Sequence, residues 1–74
     1  MSTIGARLRQ AREARGMSLQ DLSKNNAILK NAGHLQEFED GLMTFYDRDI
    51  IALCRALDIS ADWLLGLSEQ GGPE

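Results

Sequence analysis

The residues best equipped for recognition chemistry cluster in "ILKNAGHLQEFEDG", Ile28–Gly41. This stretch holds the only histidine, His34, together with the amide Gln36 and the carboxylate Glu37. A side-chain amide presents a donor and an acceptor side by side, so Gln36 can make a two-point contact to an adenine edge. Glu37 can accept from the amino group of cytosine, although nearby phosphates would repel it. His34 can donate to a phosphate or a base. Lys30 and Asn31, just ahead of this helix, and the earlier Lys24 are candidate phosphate contacts. The plain alternative for each is an exposed helix position or a solvated surface charge.

Other chemistries lack their residues. Cys54 is the only cysteine, so no intrachain disulfide framework exists. One Cys and one His cannot supply a four-coordinate structural zinc site. The acids Glu37, Glu39, Asp40, Asp47 and Asp49 do not follow the spacing of a calcium-binding loop. No Ser/His/Asp or Cys/His arrangement is convincing, and no glycine-rich phosphate loop is present. The expectation is a non-enzyme with no metal, no cofactor and no small-molecule substrate. No apolar run approaches the roughly 20 residues of a membrane span, and the N-terminus is not of the secretory type. A cytoplasmic protein is expected, with no membrane partner.

The elements that must position these residues are helical throughout. Ile4, Leu8 and Ala11 share one face, with Ser2 or Thr3 as the cap and Gly16 as the stop. Met17 is expected in the core. Ser18 opens a second, short helix, and Asp21 three residues on completes a variant capping box. Leu19 and Leu22 give its apolar face, and Asn25 and Asn26 favour its end. Ile28 and Leu29 are expected to be buried in the connection. Asn31 would cap the third helix, "AGHLQEFED", with Leu35 and Phe38 turned inward and Gly41 as terminator. Gly33 in its first turn costs about 1 kcal/mol relative to Ala. The fourth helix is "DRDIIALCRAL", with Asp47 and Asp49 at its positive dipole end and Ile50, Leu53, Cys54 and Leu57 as its core stripe. Ser60 caps the last, "ADWLLG", whose Trp63 and Leu64 are expected in the core. The chain thus predicts one all-α, compact five-helix bundle over residues 1–66 and a disordered polar tail over 67–74. Seventy-four residues allow one small core, since such a chain buries only about 60% of its unfolded surface.

Charge is divided along the chain. Residues 1–36 carry six basic side chains against two acidic ones, and residues 37–74 carry two against nine. Such polarity can present a basic face to phosphates despite a net charge of −3.

Three segments carry a family resemblance: "IGARLRQAREARGMS", "FEDG" and "ALCRALDISADWLLG". Together they resemble the lambda-repressor-like helix-turn-helix domains, the XRE or Cro/repressor type, over residues 4–66. The "Leu-x-Ile-Ser-x-Asp-Trp-Leu-Leu-Gly" ending is the most specific of them. The resemblance implies a bacterial or phage transcriptional regulator, acting as a repressor, that binds operator DNA as a homodimer. It implies that the third helix enters the major groove and that Lys24, Lys30, Asn31, Gly33, His34, Gln36 and Glu37 lie at the DNA. It further implies a structural ion pair between Arg12 and Glu39. Arg7, Arg9 and Arg15 are further phosphate candidates or solubilising charge, and Leu65 and Leu67 are candidates for a dimer interface.

The sequence departs from that pattern in four places. The Ser18 to Gly41 stretch is about two residues longer than is usual in the family. Leu19 replaces a frequent Gln after the cap. Ala32, Gly33 and His34 stand where Arg, Ser, Thr or Gln is common. Leu42, Met43, Thr44 and Phe45 occupy a loop that often carries Lys or Arg. These departures support a second expectation from another class: a protein-interaction module, such as an antirepressor or assembly partner. Its partner patch would be Leu42, Met43 and Phe45, flanked by Glu37, Asp40 and Asp47. Core plugging is the ordinary alternative for that loop, above all for Phe45.

Overall fold

Helix formation follows the caps and stops written along the chain. A computed structural model describes residues 3–24 and 32–73. The helices are α1 (Thr3–Ala14), α2 (Leu19–Lys24), α3 (Ala32–Glu39), α4 (Asp47–Leu57) and α5 (Ala61–Leu64), with no strand among the described residues. The side chains of Ser2 and Thr3, residues Asn25 and Asn26, the connection residues Ile28 and Leu29, and the phosphate candidates Lys30 and Asn31 lie outside this description.

Six of the boundaries have a local cause among the described residues. At the start of α2, Ser18 N–H donates to Asp21 Oδ2 at 2.9 Å and Asp21 N–H donates to Ser18 Oγ at 3.0 Å. Two otherwise orphaned backbone donors are satisfied by one reciprocal pair. At α4, Asp49 Oδ2 accepts from Tyr46 N–H at 2.9 Å, and at α5 Ser60 Oγ accepts from Trp63 N–H at 3.1 Å. The ends of α1 and α3 are Schellman turns. Gly16 (φ 66°) and Gly41 (φ 76°) adopt the left-handed conformation that only glycine enters without cost. Met17 N–H then reaches Arg12 O at 3.1 Å, and Leu42 N–H reaches Glu37 O at 2.9 Å. At the end of α4 the same position is held by Asp58, at φ 53°.

The core gathers one stripe from each helix: Leu8 and Ala11, Leu22, Leu35 and Phe38, Leu53 and Leu57, Trp63 and Leu64. Ile4, Met17, Leu19, Ile50 and Cys54 pack around it, partly buried. Cys54 is thus a half-buried small hydrophobe at the margin of the core. Two devices set α1 against α3. Gly5 lets the helices approach so closely that an added Cβ would lie 2.6 Å from the carbonyl oxygens of both Phe38 and Glu39. Farther along, Arg12 grips Glu39 in a two-point ion pair, Nε to Oε2 at 2.6 Å and a terminal nitrogen to Oε1 at 3.1 Å.

The C-terminal segment, residues 67–73, has no regular secondary structure. Residues 67–73 return to α1 and α5 and are tied there by hydrogen bonds from Arg7 and Ser60. Of these two partners, Ser60 is near in sequence, but Arg7 precedes Ser68 and Glu69 by 61 and 62 positions, where local composition carries no trace of it. The resulting body measures 28 × 23 × 19 Å, and no described helix is long and apolar enough to cross a membrane.

Candidate functional site

Helix α3 turns Leu35 and Phe38 into the core and leaves Gly33, His34, Gln36 and Glu37 exposed. Positions 33, 36, 37 and 40 recur at the i, i+3, i+4, i+7 spacing of one helical face, so Gly33, Gln36, Glu37 and Asp40 form a single outward strip. The strip has a firm backing. Glu39, on the same helix, is buried against Arg12, with 5% and 12% of the two side chains exposed. Arg12 also donates to the carbonyl of Met17 at 2.8 Å. One guanidinium therefore joins the end of α1, the turn before α2 and the end of α3. The carboxylate beside it raises the affinity of Arg12 for its proton, so it stays charged at every accessible pH.

Helix α2 lies against α3 and presents Gln20, Asp21 and Lys24 outward while Leu22 and Ser23 are buried. Buried Ser23 satisfies its hydroxyl by donating to Gln20 O at 3.0 Å. The Asp21 carboxylate accepts from the Ser18 backbone and side chain, which lowers its pKa below the usual carboxylate value. Lys24 stands at the exposed end of α2.

Most cations of the N-terminal half are engaged within the fold. Arg12 pairs with Glu39, Arg9 with Glu13 at 3.4 Å and Arg7 with Glu69 at 2.9 Å. Arg15 donates to the carbonyls of Leu57 and Asp58 at 2.9 and 3.1 Å, at the C-terminal end of α4, where a cation suits the helix dipole. Arg7 and Arg15 therefore do structural work that reading them as solvated or phosphate-binding charge did not anticipate. Among the described residues of 1–36, acids match the charges of Arg7, Arg9 and Arg12, while Arg15 and Lys24 are exposed without an ion pair.

The apolar loop divides. Phe45 stacks on Phe38 with ring centroids 4.5 Å apart, and Met43 also packs against the core. Leu42 alone of the three sequence candidates stands out, 74% exposed. Of the partner patch Leu42, Met43 and Phe45, two members are thus drawn inward to close the gap between α3 and α4. Tyr46, beyond the loop, is exposed and lies 6.0 Å from the Arg48 guanidinium. Leu65 and Leu67 are also exposed.

Gly5 and the Arg7–Trp63–Glu69 cluster had no sequence signal beyond their residue types, whereas Asp49 was signalled by its place in the first turn of the fourth helix. Among the described residues, no three His, Cys, Asp or Glu side chains gather where they could hold a metal ion. The site's class is therefore an exposed polar helix strip on a small all-α body. No protein-family model, curated protein or solved structure matches this chain.

Proposed function

We propose that the chain is a sequence-specific, duplex DNA-binding transcriptional regulator whose α2 and α3 act as a helix-turn-helix. The observation that carries this reading is the exposed strip Gly33, Gln36, Glu37 and Asp40, with His34 beside it, on a helix braced from behind by Arg12–Glu39. The family resemblance of residues 4–66 adds to it. Gln36 would read an adenine and Glu37 a cytosine. Lys24 would contact phosphate, as would Lys30 and Asn31. Repression would follow from occlusion of an operator by a homodimer whose recognition helices meet half-sites about 34 Å apart. The test is selection from random duplex DNA at low and at higher salt. Enrichment of an inverted repeat with a steep salt dependence supports the reading, and failure to enrich any sequence at low salt rejects it.

A second reading is favoured by the exposed Leu42 beside Asp40 and by the engagement of Arg7, Arg9 and Arg12 with acids. In it, the α3 end and its loop dock a protein partner with a basic, apolar-centred surface, as an antirepressor or assembly factor would. Leu42→Asp would abolish capture of such a partner and leave DNA selection unchanged.

A further inference from the structure

The segment after α5 makes a set of contacts that neither reading uses. Gly66 (φ 82°) reverses the chain, and Leu67 N–H donates to Asp62 O at 2.8 Å. Arg7 then receives the segment: its guanidinium donates to Ser68 O at 3.3 Å and to Glu69 Oε1 at 2.9 Å. The same group donates to Trp63 O at 2.8 Å and lies 4.9 Å from the centre of the Trp63 ring. Farther on, Ser60 N–H donates to Gly71 O at 2.8 Å. Gly72 rests on the indole so closely that a Cβ there would lie 2.6 Å from Trp63 Nε1. Trp63 is left 4% exposed.

These are the elements of peptide capture. An arginine takes a carboxylate, a backbone N–H takes a main-chain carbonyl, and an aromatic face takes a residue without a side chain. The captured segment contributes little apolar burial of its own: residues 68–73 hold no large apolar side chain, and Leu67 just before them is 75% exposed. An open cleft of about 590 Å³ remains beside it, bounded by Gln10, Trp63 and residues 69–73. A segment held by a few partly exposed polar contacts opens at lower free energy than a packed helix.

We propose that α1 and α5 form a binding groove for a short, bent peptide bearing a carboxylate followed by glycines, and that residues 68–73 of this chain are its intramolecular occupant. Tethering supplies an effective concentration on the order of millimolar, which suffices for weak contacts. A segment of the same chemistry on another molecule would compete for the Arg7 guanidinium and the Trp63 face.

Trp63 is the only tryptophan, so its fluorescence reports the groove in the full chain. Gly72→Val forces the segment off the indole. The expected result is red-shifted emission and readier acrylamide quenching, with helical circular dichroism retained. A synthetic peptide of residues 67–74 added at millimolar concentration restores the original emission. The peptide carrying Glu69→Ala binds about two- to fivefold more weakly, as loss of an exposed ion pair predicts. An unchanged spectrum in Gly72→Val, or a folded variant indifferent to the peptide, overturns the proposal. Should Gly72→Val lose its helices, Glu69→Lys reverses the charge facing Arg7 without adding bulk against the indole. Raised quenching in that folded variant supports the groove, and unchanged quenching rejects it. A dimer in sedimentation that Glu69→Lys dissociates would place the segment of a second copy in the groove and overturn the intramolecular assignment.

Discussion

Arg12 and Glu39 show how much one pair of side chains can organise. Three hydrogen bonds radiate from the Arg12 guanidinium, two to Glu39 and one to Met17 O. Removing one partner leaves a largely buried charge uncompensated. Arg12→Ala or Glu39→Ala is expected to destabilise the fold by about 3–5 kcal/mol. The double replacement Arg12→Met with Glu39→Leu should cost less than either single change, because no charge is then stranded. Urea unfolding of the three variants checks this, and additive losses would sink it. The pairing was legible because a recognisable first helix and a recognisable "FEDG" ending implied it. Arg7 was not legible: its partners Trp63 and Glu69 lie 56 and 62 residues away. An arginine on a helix surface looks the same in sequence whether it meets solvent or a folded-back tail.

Among the elements, α2 is the most dependent on its ends, being six residues long. Its cap lowers the Asp21 pKa, so the folded state holds the ionised form more strongly than the unfolded chain does. The cap's contribution is complete above the ordinary carboxylate value of about 4 and is lost as pH falls through the lowered native value. The Ser18 amide should therefore lose exchange protection in acid, and Asp21→Ala should show that loss already at neutral pH. The α1–α3 contact supplies another test. Gly5→Ala would drive a methyl into the carbonyls of Phe38 and Glu39. Overpacking of about 1–3 kcal/mol should exceed the roughly 1 kcal/mol gained in helix propensity. A lower melting temperature is expected, and a higher one would show that α3 shifts freely. Helix positions were readable because caps, stops and apolar stripes act within a few residues. The close approach at Gly5 was not, since glycine in a helix has no local justification and its partner is 33 or more residues away.

For the whole molecule, the distribution of charge bears on the proposed function. Ion pairs and carbonyl contacts engage Arg7, Arg9, Arg12 and Arg15. DNA affinity would then rest on Lys24 and the segment ahead of α3. Lys24→Ala should weaken binding to all sequences alike and reduce the salt slope by about 1. Gln36→Ala should cost about 1–3 kcal/mol and relax preference at one base pair. Competition binding at several salt concentrations separates the two outcomes. A selected operator indifferent to both changes would remove α3 from the reading role.

By itself the sequence determined the helical class, the boundaries marked by Gly16, Ser18, Gly41 and Ser60, and the outward strip of α3, because hydrogen-bonded caps, glycine stops and 3.6-residue periodicity are local. It also determined which residues carry charge, but not which charges remain available. That was decided only by tertiary structure, where Arg7 meets Glu69 and Arg15 meets the end of α4. The same holds for the loop after Gly41, where apolar character alone could not separate Leu42, which faces solvent, from Phe45, which stacks on Phe38. An irregular segment has no repeat to assign its faces, so the packing of distant elements chooses them.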